Sequence, residues 1–461
     1  MNEFGGARLR DPRRTARVVE LVGEMAARPG GRVTQVCQTS ASREGAYRLL
    51  ENTQVRYDEL AQSAHQATLR RCQGSDVVFV AVDSTSLCVT DGQHRKGLGS
   101  IGTANRGARG LLAMSALVVH PSGQPLGLAA QKLWTRPQRS KRTVGGHPKT
   151  GGESAYWNEV VGDCHRLFAE HAPEVRPWFQ LDRGGDCWQL LSFASEAQLL
   201  LTVRATHDRL LDEPEQRLWQ TVERTRVLHR TELVVGDKPA RWKKHRVDGK
   251  QTMKLVAAQP TRIAYVAIRA ATVTLRITTP EGVQPHTYHA VHVRELGHRA
   301  HKLEWMLLTT HALTTLEDVL AVVHGYTMRW RVEDFHRAWK SGVCHVEDTQ
   351  LRSRNALFIW ATLTASVATR AQRLTYEARQ SPDVPAETEL SKTELCALKL
   401  LRTPRADDPA HPTLRLAVQW IAELGGYIGP WNGPPGPITI ARGLRDLDVA
   451  VRVLNNSRKK R

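Results

Sequence analysis

Four residues in the second half of the chain combine types that could do phosphate chemistry: Tyr326, Arg329, Glu333 and Lys340. On a helix advancing 100° per residue they fall within roughly 60° of one another. One carboxylate between two cations, with a phenol beside them, suits a site for a polyanion, although a salt-bridged surface face has the same composition. Val332, Phe335 and Trp339 fall on the opposite side, so the sequence predicts a helix gripped by packing there. Two more acids stand where buried strands should end. Residues 77–82 form a continuous, β-branched-rich run that stops at Asp83, and residues 178–181 look like a shorter strand that stops at Asp182. Either aspartate alone could be a turn cap, but open sheets place their chemistry at strand ends.

Three carboxylates are what phosphoryl transfer without a covalent protein intermediate requires. Two divalent ions about 4 Å apart would serve the attacking and the leaving oxygen. Hard oxygen donors favour Mg²⁺, with Mn²⁺ able to substitute. Arg329 and Lys340, one turn before and two turns after Glu333, would then act as phosphate clamps.

These residues need elements to hold them. Strand candidates at 77–82, 111–119, 126–134, 178–181 and 199–203, with helices at about 153–171 and 186–197, give the order β-β-β-α-β-α-β, an α/β core with a mixed sheet. A Pro121-Ser122-Gly123 turn joins the second and third strands. From about 210 to 310 the pattern becomes mostly β, with Val273, Leu275 and Ile277 alternating with polar neighbours, which reads as an inserted subdomain. Its basic turn, with Asp248-Gly249 as a hairpin signal, holds Lys238, Arg241, Lys243, Lys244, Arg246 and Lys250 around Trp242, a second candidate DNA-contact surface. Ahead of the core, residues 1–75 read as a small helical unit. Asp11-Pro12 should start one helix and Pro29-Gly30-Gly31 stop it, with a second helix at about 44–51. Arg13, Arg14 and Arg17 crowd the first helix, and Tyr47 and Arg48 lie on the second. Behind the core, an apolar helix runs from 355 to about 377 and a Pro-containing linker from 380 to 387. A helical tail from 388 to 461 follows, with Leu444, Leu447, Val451 and Leu454 at heptad-like spacing. That tail could pack on the body or on a second subunit.

Composition agrees with an anionic partner. The 461 residues carry 65 Lys and Arg against 46 Asp and Glu, a formal net charge of +19, which points to nucleic acid. Seven cysteines without a repeated spacing argue for a reducing compartment, and Cys164-His165 and Cys344-His345 read as structural pairs. With no apolar signal core and no run of membrane length, the expectation is a cytoplasmic protein without a membrane partner.

The spacing Tyr-x2-Arg-x3-Glu-x6-Lys resembles the signature of bacterial cut-and-paste DDE transposases of the insertion-sequence type, met here by Tyr326, Arg329, Glu333 and Lys340. Asp83-Ser-Thr-Ser-Leu and Asp182-Arg183 with Asp186 are similar to that group's first two acid segments. The resemblance implies an RNase H-like core at 76–378 with the β subdomain inserted, an N-terminal unit that binds terminal inverted repeats, and a C-terminal dimerisation region at 388–461. It implies that Asp83, Asp182 and Glu333 hold two Mg²⁺ ions, and that Tyr326, Arg329, Lys340 and Arg204 grip DNA. Trp305 is implied as the tryptophan that stacks on a flipped base. The implied reaction is metal-dependent nicking, a hairpin intermediate and joining of the 3′ ends to target DNA by a dimer, in the cytoplasm and at the nucleoid. Gly184-Gly185 after the second acid and Asp334 beside Glu333 depart from the family pattern. A non-catalytic DNA-binding inhibitor, or a structure-specific RNase H-like nuclease, would share much of this pattern.

Overall fold

The computed structural model describes all residues except 1–2, 92–95, 102–107, 137–151, 214, 237–239, 248–249, 298–301, 381–382, 403–407, 430–434 and 460–461. Its chain divides into two compact units, one of residues 1–180 and 328–461, the other of residues 181–327.

The first unit opens with four helices: α1 (Pro12–Ala27), α2 (Val33–Val36), α3 (Ser40–Leu50) and α4 (Tyr57–Cys72). α1 starts as expected. Pro12 takes the first helical position and the Asp11 carboxylate accepts the Arg13 N–H at 2.9 Å. Val18, Leu21, Val22 and Met25 make its buried face. Next come β1 (Val77–Cys88), β2 (Gly99–Ser100), β3 (Arg109–Val119), β4 (Pro125–Trp134), α5 (Ala155–His171) and β5 (Arg176–Leu181). β1 lies between β3 and β5, and β3 carries β4 and the short β2 on its other side. β1–β3 and β3–β4 are antiparallel. Ten of the eleven β3 residues are buried, because α4, α5 and α10 (Arg354–Gln380) pack against this part of the sheet. The β3–β4 turn forms where Pro121-Ser122-Gly123 placed it. Gly123 adopts φ +94°, and a Cβ there would meet the Tyr376 hydroxyl at 2.5 Å.

The second unit continues with a 3₁₀ turn (Arg183–Gly185), α6 (Trp188–Glu196), β6 (Leu200–Arg204), α7 (Leu218–Glu223) and the strands β7 (His229–Val235), β8 (Arg241–Val247), β9 (Lys250–Val256), β10 (Arg262–Thr279), β11 (Gly282–Glu295) and β12 (Glu304–Thr309). Its main sheet runs β6-β12-β11-β10-β7, and β8–β9 form a separate hairpin. Val273, Leu275 and Ile277 are buried and Arg276 is exposed, the alternation of a half-covered strand. Residues 248–249 and Lys238 lie outside the described residues, as do the side chains of the other basic residues of the β8–β9 turn region. α8 (Leu316–Met328) closes this unit.

Back in the first unit, α9 (Trp330–Arg337) leads into a π turn (Ala338–Gly342) and then into α10. α11 (Lys392–Leu401), α12 (Leu414–Leu424) and α13 (Pro437–Lys459) complete it. Of the two placements open to the tail, packing on the body is found. Leu444 and Leu447 are buried, and Val451 and Leu454 partly buried, in one apolar cluster with Leu374 and Ala378 of α10. The segment expected as a linker also joins it, for Ala386 is fully buried and Pro385 bridges to Thr413.

The chain is therefore a mixed α/β protein with a mixed sheet, a β-rich second unit and helical N- and C-terminal regions, the fold class expected. No described helix is long and apolar enough to cross a membrane.

Candidate active site

In the first unit the expected chemistry gathers on one guanidinium. Asp83 lies inside β1, paired with Ser115, and not past its end as the apolar run suggested. The strand outlasts the run because Ser84–Cys88 also pair with β3. Arg329 lies between α8 and α9 in right-handed helical conformation, and only 6% of its surface is exposed. Its Nη2 donates to Glu333 Oε1 at 2.6 Å, and its Nη1 is 3.9 Å from Asp83 Oδ2. Asp83 and Glu333 are thus brought to one cation.

Packing fixes α9 from behind, as the sequence predicted. Val332, Phe335 and Trp339 are fully buried. Phe335 and Trp339 stack at 5.5 Å, and the Trp339 indole N–H donates to Thr364 Oγ1 on α10 at 2.9 Å. Burial, with Lys340 nearby, pushes the His336 imidazole down to about 3, so it packs as a neutral ring. The Arg331 Nε donates to the Gly123 carbonyl at 3.1 Å, which ties α9 to the β3–β4 turn.

Regular α-helix does not extend to Lys340. The chain widens into the π turn, where the Val343 N–H donates to the Ala338 carbonyl at 2.7 Å, so helical spacing at 100° per residue holds only up to Arg337. Lys340 Nζ approaches Thr85 Oγ1 on β1 at 3.4 Å and Glu347 Oε1 at 3.7 Å. Glu347 Oε1 also accepts the Cys88 N–H at 2.7 Å. No motif or spacing in the sequence marked Glu347 as part of this arrangement.

The second unit holds the remaining residues. Asp182 directly follows β5 and caps the 3₁₀ turn, its carboxylate accepting the Gly184 N–H at 2.7 Å. Asp186, whose side chain is fully buried, anchors the segment after β6. It accepts the Thr206 N–H at 2.6 Å and pairs with Arg209 at 2.6 Å. Arg204 donates to the Glu304 carbonyl at 2.6 Å. Trp305 and Tyr326 are both buried and meet edge to face, with ring centroids 5.0 Å apart. The Tyr326 ring is therefore an aromatic packing partner of Trp305.

Among the described residues, Glu223, His292 and Glu304 place donor atoms within 4.8 Å of one another. Arg294 lies 3.6 Å from Glu223 and 3.7 Å from Glu304, and His292 Nε2 is 3.1 Å from Glu304 Oε1. Positive charge is thus already supplied there. In the first unit a cation is likewise in place, but the donors are carboxylate oxygens alone, with Glu333 half exposed. That donor set fits a hard divalent ion.

At the N-terminus, Arg13, Tyr47 and Arg48 are exposed. Arg14 donates to the Leu9 carbonyl at 3.2 Å, and Arg17 donates to the Ser42 carbonyl at 2.6 Å and pairs with Glu20 at 2.7 Å. Cys164 and Cys344 are free and buried, and burial pushes both thiols up, as befits structural residues.

Two family models match parts of this chain. Residues 213–369 match the family model described as the transposase DDE domain, and residues 1–55 match the one described as transposase DNA-binding. Together the matches support a DDE-type DNA transposase, a metal-dependent enzyme with DNA as its partner. The DDE match takes in Arg329, Glu333 and Lys340 and begins after Asp83 and Asp182. A solved piggyBac transposase synaptic complex with hairpin DNA aligns over 83% of this chain and 73% of its own, at 8% identity and a TM-score of 0.37.

Proposed function

We propose that the chain is a transposase of the insertion-sequence type that binds terminal inverted repeats, nicks the element ends, releases them through hairpins and joins the 3′ ends to target DNA. Asp83, Asp182 and Glu333 hold two divalent ions, Mg²⁺ or Mn²⁺, which stabilise charge on the attacking and leaving oxygens. Arg329 and Lys340 bind backbone phosphates beside the scissile bond, and Arg204 binds another. Trp305 offers its ring to a flipped base, which requires its seat on Tyr326 to open. Arg13, Arg14, Arg17, Tyr47 and Arg48 contact the end sequence, and the C-terminal helices pair two subunits in the synaptic complex. Nicking, hairpin formation, hairpin opening and joining are each an in-line displacement at phosphorus, so one set of acids serves all four.

The observation that carries this reading is the convergence of Asp83 and Glu333 on Arg329. The test uses DNA bearing the repeats that flank the coding sequence, with Mg²⁺ or Mn²⁺. Glu333→Ala should abolish cleavage and leave binding nearly intact. Retained cleavage in that variant overturns the assignment. Cutting of branched DNA without repeats, and without end joining, would mark a structure-specific nuclease instead.

A further inference from the structure

Arg329 is deeply buried, and its guanidinium is committed to protein carboxylates. A buried guanidinium is tolerated because acids surround it, and two such acids are tolerated side by side because the guanidinium is there. We propose that Arg329 is the internal counter-ion of the Asp83–Glu333 pair, keeping the site poor in metal until a DNA phosphate draws the guanidinium away.

This rests on the reading that Asp83 and Glu333 are metal ligands. The argument is electrostatic. A divalent ion approaching Glu333 Oε1 meets a positive charge already 2.6 Å from that oxygen. A phosphate offers the same guanidinium a forked partner of greater charge. Once Arg329 turns to it, both carboxylates lose their neutralising cation and attract the metal strongly. Metal and DNA then bind with positive coupling, and the coupling is reciprocal. Lys340 does not provide a substitute charge, since its ammonium is engaged by Thr85 and Glu347.

The experiment measures Mn²⁺ binding to the full chain without DNA, by electron paramagnetic resonance of the free ion. Arg329→Met should bind Mn²⁺ roughly tenfold more tightly than the unaltered chain, or better. Arg329→Lys, which keeps the charge, should stay within about threefold of it. Adding Glu333→Gln to Arg329→Met should erase the gain. An end-bearing duplex should tighten Mn²⁺ binding by roughly tenfold in the unaltered chain and by much less in Arg329→Met. Should Arg329→Met fail to fold by circular dichroism, Arg329→Gln removes the charge while retaining donors and carries the same test. If the folded neutral variant binds Mn²⁺ no more tightly while Glu333→Ala remains dead in cleavage, the counter-ion proposal is overturned and the transposase reading stands. If Glu333→Gln leaves Mn²⁺ binding unchanged and Glu333→Ala still cleaves, both are overturned.

Discussion

Glu377 of α10 gives a sharp test of how the first unit is built. Its Oε1 accepts from the Gln124 amide, while its Oε2 is buried without a hydrogen-bond partner. Burial, reinforced by nearby Glu389, raises the carboxyl from 4.5 to about 7, with Arg373 and the Gln124 bond opposing. Because the folded state holds the proton more tightly, the group costs nothing below pH 4.5, where both states are protonated. Stability falls as pH rises through the window between 4.5 and about 7, and the full penalty applies above it. At about 1.4 kcal/mol per pH unit the penalty is bounded by about 3.5 kcal/mol, and partial exposure lowers the expectation to about 1–2 kcal/mol. Glu377→Gln keeps the shape and removes the ionisation. Urea unfolding of both proteins should therefore give similar midpoints near pH 5, and a more stable variant near pH 8.5. Parallel loss of stability in the two proteins between those pH values would refute the reasoning.

Two further outcomes follow from packing and capping. Trp339→Ala should cost about 3–5 kcal/mol, since it empties a fully buried indole site and leaves Thr364 without its donor, and urea melts measure it. It should also slow end cleavage, because α9 loses the support that aims Glu333. Asp11→Ala should cost about 1 kcal/mol by removing the α1 cap, and Asp11→Ser only a few tenths, read from the same melts.

Much of this was readable in the residues. The start of α1 followed from Asp11-Pro12, where the cap and the fixed proline φ act within one turn and need no tertiary help. The succession of strands and helices from Val77 to Arg204 followed from apolar periodicity, and among the described residues the structure adds the two-residue β2 and the 3₁₀ turn at Arg183–Gly185. The buried face of α9 was equally plain in Val332, Phe335 and Trp339. What escaped depends on partners distant in sequence. The polar end of β1 is strand because β3 pairs with it, which Ser84-Thr85-Ser86 could not announce. Tyr326 is an amphipathic residue whose ring is claimed by Trp305, and Ala386 docks because an apolar cluster from four helices surrounds it. Glu347 was invisible because its value lies in reaching a backbone N–H 259 positions away.

The π turn at Ala338–Gly342 changes what a motif spacing means. Six residues between Glu333 and Lys340 look like a distance, but they encode an angle. The widened turn absorbs one residue more than an α-helix would need for the same rotation. A chain shortened by one residue there could regain unbroken α-helix and keep the direction of everything after the turn, yet lose the widened turn that seats Lys340 beside Thr85 of β1. Such a deletion would read in an alignment as a nearly intact signature. In the molecule it would be a lysine without its seat, so gaps inside this segment deserve to be scored by the turn they remove before they are scored by length.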